Sequence, residues 1–293
     1  MSTRRLRLAT RGSPQARTQA EGVADELRRA TGCAVELVLV ETTGDRRQDV
    51  PLHVIGGQGV FVKEVQYAVL DGRADIAVHS AKDLPSLPHE ALTIGAFMRR
   101  RDAADALIGH TLDGLTEGAT IATGSVRRRA QLAAVRPDLD FVQLRGNIAT
   151  RLGKVPGGGA IVMAVAALEV LGLTERVAER LAVEEFVPAV GQGCVAVESR
   201  RDDAATAELL AAVDDAATRH AVEVERSFLA ELGSGCTLPV GGHVADGVLH
   251  VFLASEGPRP SVARDVVALG LDDGDHELAR RAAHEARQAV GGR

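Results

Sequence analysis

The stretch that most constrains this chain is residues 74–85, A-D-I-A-V-H-S-A-K-D-L-P. Ile76, Ala77 and Val78 form a short apolar run without alternation, the pattern of a strand buried on both faces of a parallel sheet. Lys82 and Asp83 follow at once, and Pro85 redirects the chain. A buried strand that delivers a cation and a carboxylate to its C-terminal end puts them where open α/β sheets bind ligands. An isolated Lys-Asp pair is more often a solvated turn, so the reading depends on what the remaining sequence supplies.

It supplies a repeated design. Residues 6–9 read as a strand, followed by T-R-G-S-P at 10–14. Ser13 suits an N-cap and Pro14 the first helical position, so a helix is expected to run to about residue 30 and stop at Gly32. Strands are expected at 35–40 and 93–97, and a helix at 60–70. Residues 42–59 are long, polar and end in G-G-Q-G, a candidate functional loop. Residues 98–105, M-R-R-R-D-A-A-D, read as a crossing between domains. Beyond it, I-A-T-G-S-V-R-R-R at 121–129 echoes L-A-T-R-G-S-P at 8–14: strand, small polar turn, helix start. Strands at 140–144 and 160–164 follow, with helices at 147–154 and up to 171. Two such units predict two similar lobes whose helix N-termini face a shared cleft.

V-P-A-V-G-Q-G-C-V-A-V-E at 187–198 suits a return to the first lobe, before helices at 203–213 and 216–232. After that the pattern changes: 243–245, 249–254 and 262–269 alternate like antiparallel strands, and 277–290 closes the chain as a helix. The expected division is therefore residues 1–98 with 194–213 as a first α/β lobe, 99–193 as a second, and 214–293 as a C-terminal α+β domain.

Charge narrows the partners. The formal net charge of -6 and an aromatic content of 2% without tryptophan argue against nucleic acid, which needs phosphate contacts and stacking platforms. Of 34 Lys+Arg residues only Lys63, Lys82 and Lys154 are lysines. Guanidinium forks gathered in a cleft suit a small polyanion, although a genomic preference for arginine gives the same composition. Cys33, Cys194 and Cys236 are widely spaced and the 9 histidines have no ligand spacing, so no metal is expected. No signal-peptide h-region or membrane-spanning run occurs, and a reducing cytoplasm is the expected compartment. G-G-Q-G lacks the Lys-Ser/Thr ending of a nucleotide-binding loop.

The cationic candidates sit at strand ends. Arg11 and Ser13 lie at the first strand-to-helix turn, and Thr123, Ser125, Arg127 and Arg128 at its echo. Backbone N–H groups, hydroxyls and guanidinium forks at a helix start make a carboxylate or phosphate site. L-R-G-N-I-A-T-R-L at 144–152 adds Arg145 and Arg151. Cys236 lies in G-S-G-C-T-L-P, whose small, turn-forming neighbours leave its thiol open to act as nucleophile or attachment point. Cys33 and Cys194 read as small buried hydrophobes.

Taken together, A-T-R-x-S-P at 9–14, G-x-G-V-F-V-K-E at 57–64, R-A-D-I-A-V-H-S-x-K-D-L-P at 73–85, T-G-S-x-R-R, R-P-D-L, L-R-G-N-x-x-T-R-L, P-A-V-G-Q-G and G-C-x-x-P-V-G occur in order. In that order and spacing, from about residue 6 to 241, the chain resembles the hydroxymethylbilane synthase (porphobilinogen deaminase) family. The resemblance implies two lobes like those of type II periplasmic binding proteins around a central cleft, plus the C-terminal α+β domain. It implies a transferase that condenses four porphobilinogen molecules head to tail, releases ammonia at each addition, and hydrolyses off hydroxymethylbilane. It implies a dipyrromethane cofactor built from substrate and held by a thioether on Cys236, and a cytoplasmic monomer.

By the same resemblance Asp83 is catalytic, stabilising cationic pyrrole species and shuttling protons. Cofactor contacts fall to Ser80, Lys82, Asp83, Thr123, Ser125, Arg127 and Arg128, and substrate contacts to Arg11, Ser13, Gln19, Phe61, Arg145, Arg151 and Gln192. Each pyrrole carries an acetate and a propionate, which is the need that the arginines meet. The sequence departs from the family at Gln58 and near Val54, where lysines are common, at Val170, where an arginine is usual, and at Gly124 and Cys194. The competing expectation is a non-catalytic two-lobed binding protein for a small anion, or a divergent paralogue.

Overall fold

In the computed structural model, which describes residues 5–46, 59, 61–233, 238–255, 257 and 260–291, the apolar run at the centre of the sequence is strand β3, Ile76–Ser80, with its first four residues buried. The chain forms two compact units, Met1–Arg101 with Cys194–Arg219, and Asp102–Gly193 with His220–Arg293.

The first unit is built on a five-stranded sheet in the order β2-β1-β3-β10-β4, where β1 is Arg5–Arg11, β2 Ala34–Val40, β4 Leu92–Phe97 and β10 Val195–Arg200. Strand β1 pairs in parallel with β2 and β3, while β10 runs antiparallel between β3 and β4. The sheet is thus mixed, and β3 is buried as expected but has one antiparallel neighbour. Helix Pro14–Thr31 starts on the Ser13 cap and ends at Gly32, whose φ of 68° suits glycine. Its stripe of Ala20, Val23, Ala24 and Leu27 packs on Leu6, Leu8, Ile76 and Val78. Helix Lys63–Leu70 sends Val65, Ala68 and Val69 into a second cluster with Ala9, Ala77 and Leu92.

The second unit repeats that plan. Its sheet order is β7-β6-β8-β5-β9, with β5 Asp105–Ile108, β6 Thr120–Ala122, β7 Asp140–Val142, β8 Ala160–Ala164 and β9 Glu179–Arg180. Again the first strand of the repeat, β6, lies parallel between its two successors, and an antiparallel strand, β5, follows beside β8. Residues 98–105 are therefore not wholly a crossing: Asp105 opens a strand whose four residues are all buried. The same unit holds an antiparallel meander, β11 Val240–Ala245, β12 Val248–Ala254 and β13 Val262–Ala268. Helix Asp275–Ala289 buries Ala279, Ala282, Ala283 and Ala286 in one cluster with Leu249, Val251, Leu253 and Phe228. Among the described residues, no helix is long and apolar enough to cross a membrane.

Candidate active site

In the first unit the candidates gather at the C-terminal ends of β1 and β3. Arg11 is the last residue of β1, and its guanidinium carbon lies 4.1 Å from the centre of the Phe61 ring, a cation–π contact. Ser13 is occupied locally: its hydroxyl accepts the Ala16 N–H at 3.3 Å and caps the helix. Ser80 ends β3 and donates to Gln19 Oε1 at 3.1 Å, so these two predicted residues meet.

Next comes a 3-10 turn, Ala81–Asp83, that carries Lys82 and Asp83. Its backbone is fixed at both ends, with Ala81 N–H donating to Cys194 O at 2.9 Å and Leu84 N–H to Ala81 O at 3.2 Å. The Asp83 side chain is half-buried and has no ion-pair partner among the described residues. A carboxylate on a stiff turn, without a structural partner to neutralise it, is available to a cation.

Behind this turn lies a buried polar network that the sequence did not disclose. Glu198 of β10 accepts from Gln66 Nε2 at 3.1 and 2.9 Å. It also lies 3.0 Å from His79 Nε2, which is not aligned for a hydrogen bond. His79 stands four positions before Asp83, but Gln66 and Glu198 are 132 residues apart in the chain, a pairing no local pattern encodes.

In the second unit the candidates surround the start of helix Val126–Val135. Ser125 caps it by accepting Arg128 N–H at 3.3 Å, and Thr123 Oγ1 accepts Ser125 N–H at 3.2 Å. Both hydroxyls therefore shape the turn. Gly124 permits it: a Cβ there would stand 2.8 Å from Leu144 O.

The two arginines of the first helical turn converge on Asp105, which sequence reasoning passed over as part of a charged crossing. Arg127 Nη2 donates to Asp105 Oδ2 at 2.7 Å and its Nη1 to Val187 O at 2.6 Å. Arg128 donates to Asp105 Oδ1 through Nε at 3.0 Å and Nη2 at 2.6 Å, and to Val162 O at 3.1 Å. Gln192 Nε2 completes the set, at 2.8 Å from Asp105 Oδ1 and 2.7 Å from Ala103 O. Burial by itself would raise the Asp105 carboxyl, but the two guanidiniums and the Gln192 hydrogen bond hold it well below the usual carboxylate range. The one available signal was an acidic residue opening an apolar run, D-A-L-I.

Arg145 and Arg151 are on the next segment of the chain, where Asn147 caps helix Ile148–Leu152 and Arg151 Nε donates to Gly146 O at 2.7 Å. Val170 ends the helix Val165–Val170 and is half-buried. Cys236, Gln58 and Val54 lie outside the described residues, and among those described no group of acidic, histidine or cysteine side chains is placed to hold a metal.

The family described as porphobilinogen deaminase, dipyromethane cofactor binding domain, matches residues 6–208. A porphobilinogen deaminase of Acidothermus cellulolyticus is 46% identical over 289 residues, covering 95% of this chain and 87% of that one. Another, of Stenotrophomonas maltophilia, is 48% identical over 241 residues, 80% of each. Among solved structures there is a fainter likeness to the methionine binding protein MetQ, with 14% identity and a TM-score of 0.46 over 73% of this chain and 92% of that one.

Proposed function

Since the chain belongs to the porphobilinogen deaminase family, we propose that Asp83 is the catalytic carboxylate of its reaction. The protein is a transferase that condenses four porphobilinogen molecules head to tail and releases hydroxymethylbilane. The observation that carries the role of Asp83 is its position: a half-buried carboxylate without an ion-pair partner among the described residues, on a turn tied to β10. Loss of ammonia from the substrate leaves positive charge on a pyrrole framework, and bond formation places it on the attacking ring. A fixed carboxylate stabilises both and takes up the ring proton afterwards.

The donor set fits the family's cofactor. The pair Arg127 and Arg128 shares one carboxylate, Asp105, which leaves an excess of positive charge at a helix N-terminus suited to an acetate or propionate group. When bound, the dipyrromethane would supply the primer pyrrole whose free α-position accepts the first unit. Thr123, Ser125, Arg128, Ser80 and Lys82 would hold its carboxylates, with Arg127 adding its charge from a buried place beside Arg128, and Cys236 would form the thioether. Arg11, Arg145 and Arg151 would hold those of incoming substrate, with Phe61 orienting Arg11 and with Ser13, Gln19 and Gln192 in support.

Two further points belong to this reading. A cytoplasmic monomer belongs to it, the compartment being supported by Cys33 and Cys194, both buried and outside any disulfide among the described residues. A division of the chain into lobes 1–98 with 194–213 and 99–193, and a domain 214–293, is supported by separate cores beneath the β5–β9 sheet and the β11–β13 meander.

The test is Asp83→Asn carrying assembled cofactor, verified by intact mass and by the colour pyrroles give with acidic dimethylaminobenzaldehyde. A fall in kcat of about 10²- to 10⁴-fold with unchanged unfolding is expected. Turnover at the wild-type rate would falsify the assignment.

A further inference from the structure

Two guanidiniums and one carboxylate are buried together at the start of helix Val126–Val135, and their charges do not balance. The side chains of Arg127 and Asp105 are 5% and 2% exposed, and that of Arg128 10%. Arg127 spans Asp105 and the Val187 carbonyl, which also accepts Gln131 Nε2 at 3.0 Å, so it is held on both sides. Arg128 meets Asp105 side-on through Nε and Nη2, which fixes the plane of its fork. Gln192 anchors the carboxylate from behind, through a side chain that is itself buried.

We propose that Asp105 is the positioning residue of this pair: it makes Arg127 a buried strut, offsets one of the two positive charges, and presents Arg128 to a single ligand carboxylate. Gln192 acts through Asp105, keeping its carboxylate in the orientation that receives both arginines. The proposal rests on the reading of Arg128 as a carboxylate ligand. It adds that the cluster accepts one anionic group rather than two, because a buried ensemble of net charge +1 is neutralised by one.

The test compares full-length Asp105→Asn, Arg128→Gln and the double variant. The fraction of chains carrying a covalent pyrrole adduct is read by intact mass after incubation with porphobilinogen, and KM is measured separately from kcat. Asp105→Asn is expected to raise KM about tenfold and to lower the adduct-bearing fraction as far as Arg128→Gln does, with the double variant no worse than either alone. A purely structural role for Asp105 would lower stability and leave KM of the folded protein unchanged, which overturns the proposal. So does a double variant showing the product of the two single losses. Wild-type KM and adduct fraction in Arg128→Gln would instead remove the carboxylate role of Arg128 itself. If Asp105→Asn does not fold, Gln192→Leu replaces it: its KM effect should vanish in the Arg128→Gln background, and an equal effect in both backgrounds overturns the proposal.

Discussion

Replacing Glu198 by leucine should show how the polar network beneath Asp83 is held. Glu198 and His79 side chains are each 2% exposed, and Gln66 spends its amide nitrogen on both Glu198 oxygens. Hydrogen bonds to a charged acceptor contribute about 1.5–3 kcal/mol each. Glu198→Leu strands Gln66 Nε2 in an apolar interior, so a loss of about 1.5–3 kcal/mol is expected. The triple variant Gln66→Leu, His79→Leu, Glu198→Leu removes that stranded donor and should recover roughly 1 kcal/mol or more of that loss. Urea unfolding at neutral pH, with the midpoint read at constant slope, measures both. If the single change costs less than about 1 kcal/mol, or the triple costs as much as the single, the network is not what holds these strands.

Two other outcomes follow from the second unit. The folded Asp105 carboxyl lies below its ordinary value of 3.8, so the folded protein binds fewer protons than the unfolded chain in acid. Its contribution is fully present above that pH and is lost as the pH falls below it. The stability gap between wild type and Asp105→Asn should therefore shrink below about pH 4, and a gap that stays constant there rules the account out. Gly159→Ala would drive a Cβ into the backbone carbonyl of Thr120, whereas Gly157→Ala meets nothing within 4 Å. Overpacking at the first should cost about 1–3 kcal/mol or more in urea unfolding and leave the second near wild type; equal midpoints would contradict the packing.

Much of this architecture could be read from local chemistry. Ser13 announced a helix start and caps it, and Ser125 and Asn147 cap two further helices whose starts were expected nearby. The apolar runs at β3 and β8 announced buried strands, and both are buried. The echo between the Arg11 and Arg127 turns became two sheets of the same strand order. Helix Lys63–Leu70 starts later than the expected 60, after an N-cap residue, Val62, that offers no side-chain cap.

What escaped the sequence depends on distant partners. Asp105 looked like one charge in an arginine-rich crossing, because its partners Arg127 and Arg128 follow 22 and 23 positions later and Gln192 87 later. Arginines 127 and 128 were legible as ligand candidates, yet their commitment to a buried acid was not. Gln66 and Glu198 carried no signal at all, since a polar residue on a short helix or an edge of an apolar strand normally faces water.

The placement of β10 has a bearing on how the chain is made. Strand Val195–Arg200 separates β3 from β4, so a nascent chain that has emerged only to Arg101 lacks the strand joining its two halves. The five strands of the β5–β9 sheet end at residue 180 and so emerge from the ribosome before β10 does. During synthesis the later sheet can close first while the earlier one waits with open edges, the reverse of the usual N-terminal-first order.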